Sequence, residues 1–208
     1  MSVRPFGDRA FLIELEQRID PSIIDTARAI ADAWEQRGLG AAIPAYASVV
    51  VEFDPPRTSW NEAAAAAQAL AAEPPRATAA ADGRLIEIPT IYDGPDLAET
   101  AARSGLAVPD LVALHTGCEY RAFFLGFMPG LAYCGMLDPR IVAPRLASPR
   151  ARVPSGAVAV ANGQTIIYPV DSPGGWRLIG RTELVTFDPA RDPAALIRAG
   201  DRLRFVPR

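Results

Sequence analysis

GFMPGLAY (126–133), PRARVPSG (149–156), ANGQTIIYP (161–169) and SPGGWRLIGRT (172–182) are four short clusters of glycine, proline and aromatic residues within one span, Gly126 to Thr182. Glycine admits positive φ and close backbone approach, and proline fixes φ and removes a donor, so such clusters at the ends of short apolar runs predict sharply turned β structure. A single cluster would be equally well explained by glycines that serve turns alone. Four together, with Tyr168 and Trp176 beside the turns, point to a built site. The dipeptide Asn162-Gly163 between Ala157–Ala161 and Thr165–Tyr168 predicts a two-residue β-hairpin. The paired glycines Gly174 and Gly175 are expected to open a turn and expose backbone amides, with Arg181 nearby; a ligand-free barrel corner would use the same residues. Arg145 and Arg150, each beside a proline, are expected to project outward, either solvated or holding an anion.

Upstream of this span, Tyr120 to Phe127 reads as a buried strand. Asp96–Ser104 and Pro109 to about His115 have helical apolar spacing, and Leu85–Ile91 alternates as a strand. His115 thus falls at a helix end, where it either faces the last carbonyls as a cation or projects with Thr116 into a cleft. Downstream, Glu183–Phe187 and Arg202–Val206 are expected strands, with Asp192-Pro193 capping a last short helix that Gly200 ends. Short strands with closing helices predict a small, partly closed barrel.

The N-terminal part reads differently. Ala10–Leu15 and Val49–Phe53 are strand-like. Asp20-Pro21 starts a helix to about Arg37 whose apolar residues Ile23, Ala27, Ile30, Ala31 and Trp34 form one stripe, and Ser59–Glu62 has capping-box spacing before an alanine-rich helix to Ala72. Two helices on one face of a small sheet predict an α+β layer of the ferredoxin-like kind. The run EPPRATAAADG (73–83) lacks periodicity and reads as a connection. The chain is therefore expected to divide into an α+β domain over 1–78 and a barrel domain over 79–208.

Composition excludes several chemistries. All 21 basic side chains among the 208 residues are arginine, so the chain supplies no Schiff-base lysine, Walker A lysine or SxxK pair. Any phosphate must meet arginine, backbone amides, metal or another chain. With one histidine, and with Cys118 and Cys134 too far apart for a CxxC pair, no metal site is expected and the thiols are expected to be reduced. A net charge of −3 gives no reason to expect nucleic acid or an anionic membrane as a partner. No apolar run approaches the ~20 residues that span a bilayer, and the charged start MSVRPFGDRAFLIELEQ is unlike a signal peptide, so a cytoplasmic protein is expected.

Taken in order, His115-Thr116, Gly126-Phe127-x-Pro129-Gly130-x-x-Tyr133, Pro149-Arg150-x-x-Val153-Pro154-x-Gly156, Gln164-Thr165-x-Ile167-Tyr168-Pro169 and Ser172-Pro173-Gly174-Gly175-Trp176-x-x-Ile179-Gly180-Arg181-Thr182 resemble the 5-oxoprolinase B-subunit family, also called allophanate hydrolase subunit 1 or KipI-like. The resemblance is close over about the last hundred residues and architectural before them. Cys134, Leu131, Ala157 and Asn162 depart from the usual residues of the family, which bears on substrate choice more than on fold. The resemblance implies a cyclophilin-like β-barrel domain preceded by the small α+β domain. It also implies association with a homologous C subunit (allophanate hydrolase subunit 2, KipA-like) and with an A subunit (LamB/YcsF-like), acting on a small amide with ATP, as its Mg complex, to open 5-oxoproline to glutamate. Carboxyltransfer of the urea carboxylase type, and inhibition of a histidine kinase as in KipI, are the alternatives it leaves open. On this reading His115, Arg150 and Gln164 are the catalytic candidates. Phe127, Pro129, Tyr133, Tyr168, Gly174, Gly175, Trp176 and Arg181 are the substrate-binding candidates, with Arg150 and Arg181 meeting anionic oxygen or phosphate.

Overall fold

A computed structural model describes residues 1–76 and 83–208. The chain forms two compact units, Met1–Ala81 and Asp82–Arg208. The expected boundary between 78 and 79 lies outside the described residues.

In the N-terminal unit, β1 (Ser2–Pro5), β2 (Ala10–Glu14), β3 (Ala42–Pro44) and β4 (Ser48–Glu52) make an antiparallel sheet in the order β1-β2-β4-β3. Helix α1 (Pro21–Gln36) starts at Asp20, whose carboxylate accepts from the Ser22 amide at 2.8 Å. Helix α2 (Trp60–Ala72) starts at a full Ser59–Glu62 capping box. The apolar stripe of α1 and Ala63, Ala67 and Leu70 of α2 pack with Phe11, Ile13, Val49 and Val51. The indole of Trp34, wholly buried, donates to the Glu52 carbonyl at 2.8 Å. The expected order strand, helix, strand, helix thus gains two edge strands. Each is three or four residues long and ends in proline, too short to show a period of two.

The second unit contains β5 (Leu85–Thr90), α3 (Leu97–Arg103), α4 (Val108–Thr116), β6 (Tyr120–Leu125), β7 (Ala132–Gly135), β8 (Arg150–Val153), β9 (Ala157–Ala161), β10 (Gln164–Ile167), β11 (Ser172–Gly174), β12 (Arg177–Arg181) and β13 (Arg202–Pro207). Seven of these strands form one sheet in the order β12-β9-β10-β7-β6-β13-β5, parallel only at β5/β13. Its two edges meet at Ile91 and Arg181, whose backbones exchange two 2.9 Å hydrogen bonds, so the sheet nearly closes on itself. At the β9–β10 hairpin Asn162 and Gly163 have φ of 49° and 79°, the pair of left-handed residues that a tight two-residue turn requires.

All residues of β9 are buried because the strand is covered on both faces. Val158 and Val160 point with Ile167, Tyr120, Ile179 and Phe205 into the barrel. Ala157, Ala159 and Ala161 face the other way, together with Ile166, Tyr168, Trp176 and Leu178. The alanines keep that outer layer low, and the separate β8–β11 ribbon belongs to the same side, with Val153 packed into it.

Three expectations for this unit are corrected. Ser172–Trp176 is not a simple turn, since Ser172–Gly174 pairs with β8 across an irregular register. Glu183–Phe187 is not a regular strand, and residues 191–200 contain no helix. Instead the Leu196 amide bonds the Thr186 carbonyl and the Asp188 amide bonds the Ala194 carbonyl, at 2.8 and 2.9 Å. The segment after Pro193 pairs back on 186–188, and the few residues before Gly200 leave too little length for a helix to compete.

Candidate functional site

Outside the barrel wall, between the outer layer of β9–β10 and the β8–β11 ribbon, lies a cavity of about 270 Å³. Its walls are aromatic: Trp176, Tyr133 and Tyr168 line it, with Phe127, Arg145 and Gly174 among the other lining residues. The Tyr133 and Trp176 rings stand 5.9 Å apart at 59°, and Tyr133 is backed by a stacked Phe124 at 4.8 Å.

Tyr168 is the pivot. It follows β10 and is 1% exposed. Its own amide bonds Ala157 and its carbonyl accepts from Gly156, fixing the backbone on both sides of the ring. Burial raises its pKa and outweighs the opposing pull of the nearby Trp176 amide, so the phenol keeps its proton at neutral pH. The tight approach of this hydroxyl explains Gly174, where a Cβ would lie 2.2 Å from the Tyr168 oxygen. Gly175 is tied down differently, its carbonyl accepting from the Leu146 amide at 2.8 Å.

Leu146 follows Arg145, whose guanidinium lies 5.7 Å from the centre of the Trp176 ring. Arg145 is the charged residue of the lining, and among the described residues no carboxylate pairs with it. The sequence alone leaves it open between solvent and an anion. The proline segment that carries it has no periodicity from which a cavity could be inferred.

Of the other expected site residues, Phe127 lines the cavity at a left-handed φ of 70° and is 72% exposed, while Pro129 is exposed at the same turn and is not part of the lining. Gly130, at the end of that turn, packs against the side chain of Phe187, where a Cβ would lie 2.6 Å from the Phe187 Cβ. Arg150 turns inward: its guanidinium meets the buried Asp96 at 2.6 Å, whose second oxygen accepts from the Leu178 amide at 2.7 Å. Arg181 pairs with Asp93 at 2.9 Å. Gln164 is buried on β10 and does not line the cavity.

His115 is elsewhere, wholly buried near the end of α4. It is neither a surface cation nor a cleft residue. Nδ1 is 2.7 Å from the Tyr92 hydroxyl and Nε2 is 3.0 Å from Thr165 Oγ1, while Phe205 packs at 4.4 Å. Thr165 donates its own proton to the Ala159 carbonyl, so Nε2 carries the hydrogen and Nδ1 accepts from Tyr92. Desolvation pushes the imidazole pKa down to about 3, which keeps it neutral.

Among the described residues no group of three or more His, Cys, Asp or Glu side chains is placed to hold a metal ion. No described helix is long and apolar enough to cross a membrane. Cys134 is buried and Cys118 half-buried, and neither is in a disulfide.

The family described as carboxyltransferase domain, subdomain C and D, matches residues 1–197. The 5-oxoprolinase B subunit of Bacillus subtilis (strain 168) is 35% identical over 98% of the chain and 91% of its own length. That of Escherichia coli O157:H7 is 50% identical over 61% of the chain, a match that spans 59% of the relative. Among solved structures, TTHA0988 superposes with a TM-score of 0.83 at 38% identity over 96% of the chain, which spans 40% of that longer protein. The urea amidolyase of Kluyveromyces lactis shares the fold at 20% identity, with a TM-score of 0.75 over 99% of the chain and 15% of its own.

Proposed function

The chain belongs to the carboxyltransferase domain, subdomain C and D, family, and on that premise we propose that it is the B subunit of a 5-oxoprolinase, one chain of a heteromeric hydrolase that opens 5-oxoproline to glutamate with ATP. Identity to the Bacillus subtilis protein over nearly the whole of both chains supports this reading. Proposed with it are a cytoplasmic setting and two partners, the homologous C subunit plus the A subunit. The barrel unit is read as cyclophilin-like. The N-terminal unit is read as a ferredoxin-like layer in which β1 fills the edge place of the strand that would follow α2.

The observation that carries the reading is the cavity built on Tyr168 and Trp176. At about 270 Å³ it falls below the ~300 Å³ lower end for drug-sized ligands and fits a small ring. A flat lactam packs against the aromatic wall that Tyr133 and Trp176 form together. The Tyr168 phenol keeps its proton and lines the cavity, so it can donate to the amide oxygen of the substrate. As charge builds on that oxygen, a pre-fixed donor in an apolar wall stabilises it.

A nucleoside triphosphate does not fit these residues. Arg150 and Arg181 are held by Asp96 and Asp93, and the lining contributes the single cation Arg145. The ATP requirement is accordingly assigned to the other chains of the complex, and no step here is routed through it. The test is ATP consumption and glutamate formation by the chain co-purified with its C and A subunits, with and without 5-oxoproline. Tyr168→Phe should lower kcat about a hundredfold while the complex still assembles. An assembled complex that consumes no ATP in response to 5-oxoproline refutes the proposal.

A further inference from the structure

We infer that Arg145 is the specificity-determining residue of the aromatic cavity, and that the cavity takes small cyclic amides bearing a carboxylate, with Arg145 holding that carboxylate. The inference rests on the cavity being the amide site and adds which side chain selects for the carboxylate.

Every other arginine between positions 140 and 181 is neutralised by a carboxylate of the chain: Arg140 by Asp138, Arg150 by Asp96, Arg152 by Asp171, Arg177 by Glu99 and Arg181 by Asp93. Arg145 alone of these has no such partner among the described residues, and it alone lines the cavity. Its base is held on both sides. The Pro144 carbonyl accepts from Arg177 Nε at 2.9 Å and the Leu146 amide donates to Gly175 at 2.8 Å. Arg177 is itself buried and anchored through Glu99, so Arg145 springs from a fixed backbone while its side chain remains exposed. The Trp176 ring offers a cation–π contact but accepts no in-plane hydrogen bond, which leaves the guanidinium fork to a planar anion.

These features match a ligand with two unlike ends. A lactam oxygen suits the Tyr168 phenol, and a carboxylate suits Arg145. Because the chain lacks lysine, arginine is the side chain it has for supplying this permanent charge. Neutral lactams lose the charge-assisted contact and should bind more weakly.

The test measures binding of 5-oxoproline and of 2-pyrrolidinone, the same lactam without the carboxylate, by ligand-observed NMR to the full chain alone and co-purified with the C subunit. The wild type should prefer 5-oxoproline by about tenfold or more, and added NaCl should erode that preference without changing 2-pyrrolidinone binding. Arg145→Met should bring 5-oxoproline down to the level of 2-pyrrolidinone and leave the neutral lactam within about twofold, while Arg145→Lys restores part of the preference because charge survives without the fork. Equal wild-type binding of the two lactams, or a preference that persists in Arg145→Met, overturns the role of Arg145 and leaves the amide site standing. If neither ligand binds in either form, the amide site fails and the inference fails with it.

Discussion

Acidification from pH 7.5 to 5 tests how the barrel interior is held, because it sets the only histidine against its surroundings. His115 is wholly buried, and its titratable neighbours Tyr92 and Tyr120 have pKa values raised by burial, so both stay neutral over this range. The unfolded chain takes up a proton on His115 below about pH 6.5, whereas the folded chain resists until about 3. The stabilising contribution is therefore complete above 6.5 and is lost as pH falls from 6.5 toward 3. At ~1.36 kcal/mol per unit, lowering the pH from 7.5 to 5 should remove about 2 kcal/mol. Hydrogen-exchange free energies of the β9 and β10 amides read this loss in the right unit. His115→Gln should flatten the slope, at a fixed cost of about 1–3 kcal/mol for imperfectly replaced hydrogen bonds. Nitrogen NMR of the imidazole should show the Nε2–H form unchanged to pH 5. Titration of those resonances between pH 6 and 7, or an equal slope in His115→Gln, would refute the buried neutral assignment.

Other substitutions separate cavity from scaffold. Gly174→Ala places a methyl 2.2 Å from the Tyr168 hydroxyl, so lactam binding should disappear and stability fall by about 1–3 kcal/mol, as binding assays and thermal unfolding would show. Asp96→Asn weakens the bond to Arg150, and the loss should be about 2 kcal/mol, below the ~3–5 of a wholly buried pair because Arg150 is 28% exposed; urea unfolding measures it. Ser59→Ala should cost the N-terminal unit about 1 kcal/mol, read by exchange of the α2 amides, and leave lactam binding unchanged.

Local signals are legible where the cause is local. Asp20, the Ser59–Glu62 box and Asn162-Gly163 each act on the backbone within a few residues, and each stands where the sequence places it. The edge strands β1 and β3 and the β8–β11 ribbon escape such a reading because three or four residues are too few to carry a period. The arginines mislead for a different reason. Asp96 lies 54 residues before Arg150 and Asp93 lies 88 before Arg181, so nothing near either arginine announces its partner. His115 likewise meets Thr165 fifty residues on, and only the closed sheet makes its surroundings apolar.

The glycine pair at 174–175 shows why motif and chemistry can agree while the atoms differ. Two glycines before a tryptophan suggest bare amides for an anionic oxygen. Here the Trp176 amide meets the Tyr168 hydroxyl, and the Gly175 carbonyl meets Leu146. Gly174 is needed because the phenol fills the place of its missing side chain. On the proposed reading the donor that the cavity presents is the Tyr168 phenol, carried on a side chain. The arrangement suits a small ring lying against the tilted Tyr133 and Trp176 rings, since a donor on a side chain reaches a ligand that the strand backbone could not approach without losing its pairing to β8.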